Sequence, residues 1–287
     1  MNTDRQNIKI IETPRDAMQG LEIIIPTHKK VAYINLLLQC GFDTVEVGSF
    51  VSPKAIPQMA DTAEVLKKLD YSKTNSNIAV LAANLKGGEL AAQFDEVDLI
   101  FYPYSSSPTF LKKNLNTTIK EAERTVEGLQ NLCIKKGKNL VAFISLAFGD
   151  PYGDPWSIDL INKKVEKLLS LGITRIPLAD TIGDVQPEVI DKVCGEVIPN
   201  FPEVNFGLHA HAYPGKGKSK IAAAWKHGVR HFDTVIGGMG GCPMTDKELV
   251  GNLSLESLMT WCETEGVATG LNMDMVRKAQ HYPLITY

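Results

Sequence analysis

Short apolar runs recur along the chain, and after each comes a stretch whose apolar positions repeat with the 3.6-residue period of a helix. The runs read as strands at Ile8 to Glu12, Thr44 to Ser49, Asn77 to Leu81, Val97 to Tyr102, Leu140 to Leu146, Arg175 to Asp180, Val204 to His211 and His231 to Ile236. Helical periodicity covers roughly His28 to Cys40, Ala60 to Leu69, Lys86 to Phe94, Thr117 to Lys136, Ile158 to Leu171, Pro187 to Ile198, Lys218 to His227 and Leu253 to Glu265. Thr27 is placed to cap the first helix, and Gly41 and Gly172 to close the helices before them. The first strand stops at Thr13-Pro14, which puts Arg15 and Asp16 in a loop.

Eight strand-helix units without a linker or a change of composition predict an α/β protein, a (β/α)8 TIM barrel forming a single catalytic domain over residues 1–287. A doubly wound open sheet is the competing architecture, but no GxGxxG follows the first strand.

In such a barrel the chemistry lies at the C-terminal ends of the strands. His209 and His211 close strand seven at i and i+2, so both imidazoles project to one face, which is how neutral imidazoles are presented to a metal. Closure of the barrel places strands seven, eight and one side by side, bringing His209, His211, Asn252 and Asp16 within reach of one ion. Two imidazoles, a carboxylate and an amide oxygen suit Mg²⁺ or Mn²⁺ better than a structural zinc. Each residue also has an ordinary reading: Asp16 as a helix cap, Asn252 as a backbone-binding amide, and Arg15 as the ion-pair partner of Glu46, a carboxylate that interrupts an apolar strand. The GGMGGCP segment around Cys242 is either a loop able to close over a ligand or a tightly packed glycine stretch with an incidental thiol.

Composition narrows the function classes. Hydrophobic residues at 44% and charged ones at 22% describe an ordinary globular protein, and a net charge of -3 offers no global field for nucleic acid or an anionic membrane. An anionic small substrate therefore needs local cations. No apolar stretch reaches the ~20 residues of a membrane span. The five cysteines are scattered without a CxxC pair, which fits a reducing cytoplasm, and the polar MNTDRQN start leaves no room for a signal peptide.

The stretches ETPRDAMQG, VEVGSFVSPKAIPQMAD, SSSPTFLKKNLNTTI, LADTIGDVQP, GLHAH and GGMGGCP followed by GNL together resemble the hydroxymethylglutaryl-CoA lyase family, metal-dependent barrels related to the isopropylmalate synthases. The resemblance implies retro-Claisen cleavage of an acyl-CoA, hydroxymethylglutaryl-CoA splitting into acetoacetate and acetyl-CoA. It implies that Asp16, His209, His211 and Asn252 hold a divalent cation and that Arg15 stabilises the departing enolate. Glu46, Asp180 and His209 would complete the catalytic set, with Cys242 helping to shuttle a proton. Gln19, Ser49 and Ser107 would face the substrate, and Lys112 and Lys113 are candidates for the coenzyme A phosphates, although a Lys-Lys pair is usually a solvated face. A homodimer is expected, since barrels of this kind commonly pair.

The chain departs from the family pattern at three places. AYPGKG follows HAH where an acidic or polar residue and Tyr-Gly are usual, which leaves open what supports the histidines from behind. SLAFGDPYG has Leu146 and Asp150 at positions where cysteines are usual, and DAMQG replaces DGLQN. Two other readings stay open: an aldolase or Claisen-condensing enzyme acting on a 2-oxo acid or another 3-hydroxyacyl-CoA, and a non-catalytic metal-binding barrel. The absence of a further domain after residue 287 speaks against the feedback-regulated isopropylmalate synthases.

Overall fold

The structure is a computed structural model that describes residues 7–241 and 250–285. Eight parallel strands form a closed barrel in sequence order: β1 (Lys9–Glu12), β2 (Thr44–Ser49), β3 (Asn77–Leu81), β4 (Leu99–Ser105), β5 (Asn139–Ser145), β6 (Arg175–Asp180), β7 (Asn205–Ala210) and β8 (His231–Thr234). β8 closes on β1 with Ile11 opposite Asp233 and Glu12 opposite Thr234. Around them run α1 (Pro14–Gln19), α2 (Thr27–Leu37), α3 (Thr62–Lys68), α4 (Leu85–Ala91), α5 (Pro108–Leu115), α6 (Ile119–Lys136), α7 (Ile158–Ser170), α8 (Pro187–Val197), α9 (Gly217–Lys226), α10 (Leu255–Glu265) and α11 (Met273–Gln280). Of the described helices, none is long and apolar enough to cross a membrane.

Alternation along the strands sorts two cores. Inward positions Ile11, Ala79, Leu99, Phe101, Val141 and Phe143 fill the barrel, with Phe101 and Phe143 meeting edge to face at 5.1 Å. Outward positions pack against the helices in a larger layer that includes Ile10, Val47, Ile100, Ile176 and Phe232. The strands are buried on both faces, so they read as continuous apolar runs.

Four local details differ from the sequence expectation. Arg15 and Asp16 lie on a short helix, α1, because Pro14 presets the dihedral of its first turn. Thr27 is inside α2 and does not cap it; its hydroxyl donates to Asp61 Oδ2 at 2.7 Å. α5 forms within SSSPTFLKKNL because Ser107 accepts from the Phe110 N–H and Pro108 occupies the first turn. α11 forms where Asn272 caps MDMVRKAQ.

One irregularity serves the barrel's mouth. The β2/β3 register slips between Glu46 and Gly48, so Ser49 pairs with Leu81, whose side chain packs into the barrel, and Gly48 pairs with outward Val80. This bulge turns Ser49 to the same side as Glu46, where strict alternation would have turned it toward the helices.

α4 is anchored by Asn84, which accepts from the Gly87 N–H at 2.9 Å, and Gly87 lies flat on the main chain leaving β2: a Cβ there would sit 2.5 Å from the Phe50 carbonyl oxygen. Gly87→Ala is expected to destabilise by about 1–3 kcal/mol in urea unfolding, the overpacking exceeding the ~1 kcal/mol helix-propensity gain. Unchanged or higher stability would mean that α4 shifts freely.

Candidate active site

Arg15, on α1 just beyond β1, is buried and organises the mouth. Its Nε donates to Glu46 Oε1 at 2.9 Å, its Nη2 to Glu46 Oε2 at 2.8 Å and its Nη1 to Asp16 Oδ1 at 2.6 Å. Gln19 Nε2, one turn on, donates to the same Asp16 oxygen at 2.5 Å. Among the described residues Oδ1 has these two donors, whereas Oδ2 is buried without a partner. Three of the five guanidinium N–H groups are engaged among the described residues, which leaves two for a ligand.

The orphaned carboxylate oxygen has a counterpart across the seam. One ligand atom each from Asp16, His209 and His211 lie within 4.8 Å of one another. Both histidines project inward from the end of β7, as the i, i+2 spacing required, with ring centroids 5.4 Å apart. His209 Nδ1 pairs with Asp233 Oδ2 at 2.9 Å, and His211 Nδ1 with the Val250 carbonyl at 3.2 Å. With Nδ1 donating to these acceptors, each ring presents the Nε2 lone pair to the shared space. Phe143 packs edge-on against His209 at 5.5 Å and seals it from below. Asn252 bridges to His211 through the backbone, and its Nδ2 donates to the Met239 carbonyl at 2.9 Å.

The electrostatics follow from burial and these pairings. Burial works against ionised Asp16, but Arg15 and both imidazoles outweigh it and hold the carboxyl below its usual range. Burial pushes Glu46 up to about 7 against the pull of Arg15. His211 is lowered to about 4 by burial and by neighbouring His209, so it is neutral and able to ligate. Burial also opposes charge on His209, yet the Asp233 carboxylate reverses the direction and raises it. These buried donors, with one oxygen left bare, fit a cation bound by nitrogen and oxygen.

Ser49 is buried on the inward side of β2, its hydroxyl unpartnered among the described residues. Ser107 spends its hydroxyl on Asp154 at 2.5 Å and on capping α5. Asp180, at the end of β6, is held by Lys220 and the Gly183 N–H and is not one of the clustered ligands. Lys112 and Lys113 are exposed on α5; Lys112 donates to Asn116 and Lys113 lies over the Tyr152 ring. Cys242 and Pro243 lie outside the described residues; of the glycines before them, Gly238, Gly240 and Gly241 lie close against neighbouring main chain, whereas Gly237 and Met239 are exposed. A Cβ on Gly240 would be 2.6 Å from the Asp16 carbonyl oxygen, and one on Gly241 2.2 Å from that of Val250.

The chain matches the HMGL-like family over residues 7–282. It belongs to that family. It is 33% identical to the mitochondrial hydroxymethylglutaryl-CoA lyase of Rattus norvegicus over 282 residues, covering 97% of this chain and 85% of the rat protein. It is 31% identical to the cytoplasmic 3-hydroxy-3-methylglutaryl-CoA lyase of Homo sapiens over 277 residues, covering 95% of this chain and 73% of the human protein. Among solved structures, the HMG-CoA lyase of Brucella melitensis superposes with a TM-score of 0.88 at 31% identity, covering 96% of this chain and 97% of that one. The HMG-CoA lyase of Acinetobacter baumannii, in complex with coenzyme A and 3-methylmalate, gives 0.88 at 31% identity, covering 98% and 91%.

Within this HMGL-like barrel the AYPGKG departure has a structural answer: the histidines are backed by Asp233 on β8 and by the Val250 carbonyl, not by the residues that follow His211. Asp233 escaped the sequence reading, although HFDTV carries the same signal as TVEVGS, a charge inside an apolar strand. Glu12 was missed too. It is fully buried on the outward side of β1, accepts from the Ile236 N–H at 2.8 Å and lies 3.1 Å from Thr234 Oγ1, so it ties the barrel seam to the start of the glycine loop.

Burial raises Glu12 to about 8 despite these hydrogen bonds, so it is protonated at neutral pH. The protonated carboxyl can donate to Thr234 Oγ1 while that hydroxyl donates to the Ile11 carbonyl at 3.2 Å. The folded state therefore holds a proton that the unfolded chain releases near pH 4.5, and stability falls as pH rises from there to about 8. Denaturant titrations across that range should show this slope, and Glu12→Gln should flatten it; equal slopes would place Glu12 ionised in the fold.

Proposed function

We propose that this chain is a divalent-metal-dependent lyase that cleaves hydroxymethylglutaryl-CoA to acetoacetate and acetyl-CoA. The observation that carries the reading is the clustering of Asp16, His209 and His211 ligand atoms beside a guanidinium that grips Asp16 at 2.6 Å. Retro-Claisen cleavage needs a tertiary hydroxyl made acidic and an enolate stabilised; a cation on these ligands would do the first, and the guanidinium would do the second.

Asp16, His209, His211 and Asn252 would hold Mg²⁺ or Mn²⁺, whose Lewis acidity lowers the pKa of the substrate hydroxyl. Arg15, oriented by two bonds to Glu46, would direct its two remaining N–H groups at the enolate oxygen of the leaving acetyl thioester. Ser49, turned inward by the β2 bulge, would donate to a substrate oxygen, and Gln19 would keep Asp16 oriented as the substrate enters. Cys242, at the end of the glycine loop, would pass a proton to the enolate carbon. Lys112 and Lys113 sit on α5 beyond β4, where they would meet the coenzyme A phosphates at the rim. Assembly as a homodimer in a reducing compartment belongs to the same reading. Cys40, Cys133, Cys194 and Cys262 are buried free thiols, and burial raises them to between about 11 and about 12, which keeps them protonated and slow to react.

Chelator-treated protein should release no acetoacetate from hydroxymethylglutaryl-CoA, and Mg²⁺ or Mn²⁺ should restore release. Asp16→Asn and Arg15→Ala should each lower kcat by at least ~10³-fold, the scale of removing a group that stabilises developing charge. Pyruvate release from a hydroxy-oxo acid instead would assign the barrel to the aldolases, and inactivity with every divalent ion would leave a binding protein.

A further inference from the structure

We propose that Lys220 is a positioning residue for His211. The role rests on the metal reading above but not on the identity of the substrate. The α9 segment reads GKSKIAAAWK, and its lysines look like a solvated face. Lys218 is exposed, but Lys220 turns inward and is buried. Its Nζ donates to Asp180 Oδ2 at 2.5 Å, to the Gly183 carbonyl at 2.8 Å and to the His211 carbonyl at 2.8 Å. An ammonium has three N–H groups, so every donor is committed to the chain and none is left for a substrate.

The contacts close a knot behind the ligand. Asp180 Oδ1 accepts the Gly183 N–H at 2.8 Å, and the Asp180 carbonyl accepts the His211 N–H at 3.3 Å. Gly183, at φ +84°, presses the turn against His211: a Cβ there would lie 2.8 Å from the His211 Cβ and 2.5 Å from Val250 Cγ1. Val250 supplies the carbonyl that engages His211 Nδ1. The backbone of His211 is thus fixed on both its N–H and C=O sides, and its ring is fixed from behind. Lys220 holds three corners of that support, the Asp180 carboxylate, the Gly183 turn and the His211 carbonyl, from a helix outside the barrel. A ligand displaced by a fraction of an ångström binds metal less well, and outer-shell partners of this kind are worth about 10–100-fold in affinity.

The test is Mn²⁺ titration calorimetry on the chelator-stripped full-length chain, with Tm measured in parallel. Lys220→Met should weaken Mn²⁺ binding by at least ~10-fold. The double variant Asp180→Asn/Lys220→Met, in which both charges are gone, should recover Tm toward the parent while Mn²⁺ binding stays weak. Affinity that returns with Tm in the double variant would show that Lys220 only neutralises Asp180, and would overturn the proposal. So would Lys220→Met protein that binds Mn²⁺ as the parent does. If Lys220→Met does not fold, the double variant decides alone. A parent chain that takes up no Mn²⁺ would overturn both this proposal and the metal reading. Tight Mn²⁺ binding without acetoacetate release would sink the lyase assignment and leave the role of Lys220 standing.

Discussion

The site depends on the grip of Arg15 on two buried carboxylates. Glu46 and Asp16 are both out of water, and neither could stay there ionised without a partner, since an unpaired buried charge costs several kcal/mol. The guanidinium satisfies Glu46 with two N–H bonds and Asp16 with one, and Gln19 adds a second donor to the same Asp16 oxygen. That asymmetry leaves Oδ2 bare among the described residues. The bare oxygen, the two Nε2 lone pairs and the nearby Asp233 carboxylate concentrate negative and electron-rich groups in one enclosed space. A divalent cation would balance them together with Arg15.

The barrel delivers these groups by topology and register rather than by flexible loops. Closure of β8 onto β1 sets Asp233 opposite Ile11 and brings the start of α1 beside the end of β7. Period-2 alternation then aims His209, His211 and Asp233 inward together, and a single bulge in β2 adds Ser49 to the same side. The glycine segment after β8 fits only because residues without a Cβ can lie against the Asp16 and Val250 carbonyls. That close approach at Gly240 and Gly241 favours a fixed wall there, while Gly237 and Met239 stay exposed.

Much of this was legible in the sequence, for physical reasons. Buried parallel strands must be continuous apolar runs, so eight of them announced the barrel, and a His-x-His at a strand end has one geometric outcome. The Arg15–Glu46 pair was readable because a carboxylate inside an apolar strand demands a partner. What escaped was of two kinds. α1, α5 and α11 are too short to show a helical period, and the available signals were Pro14 at the first turn of α1 and the capping residues Ser107 and Asn272 of the other two. Asp233 and Lys220 act through partners far away in sequence. A lysine among alanines on a helix looks solvated until the fold shows which way it points.

The most direct test of the central claim is a crystal of the chain grown with Mn²⁺ and read by anomalous scattering. The account predicts one strong peak bonded to Asp16 Oδ2, His209 Nε2 and His211 Nε2, beside an Arg15 still paired with Glu46. A peak elsewhere, or none between the two imidazoles and Asp16 in protein that binds Mn²⁺ in solution, would contradict it.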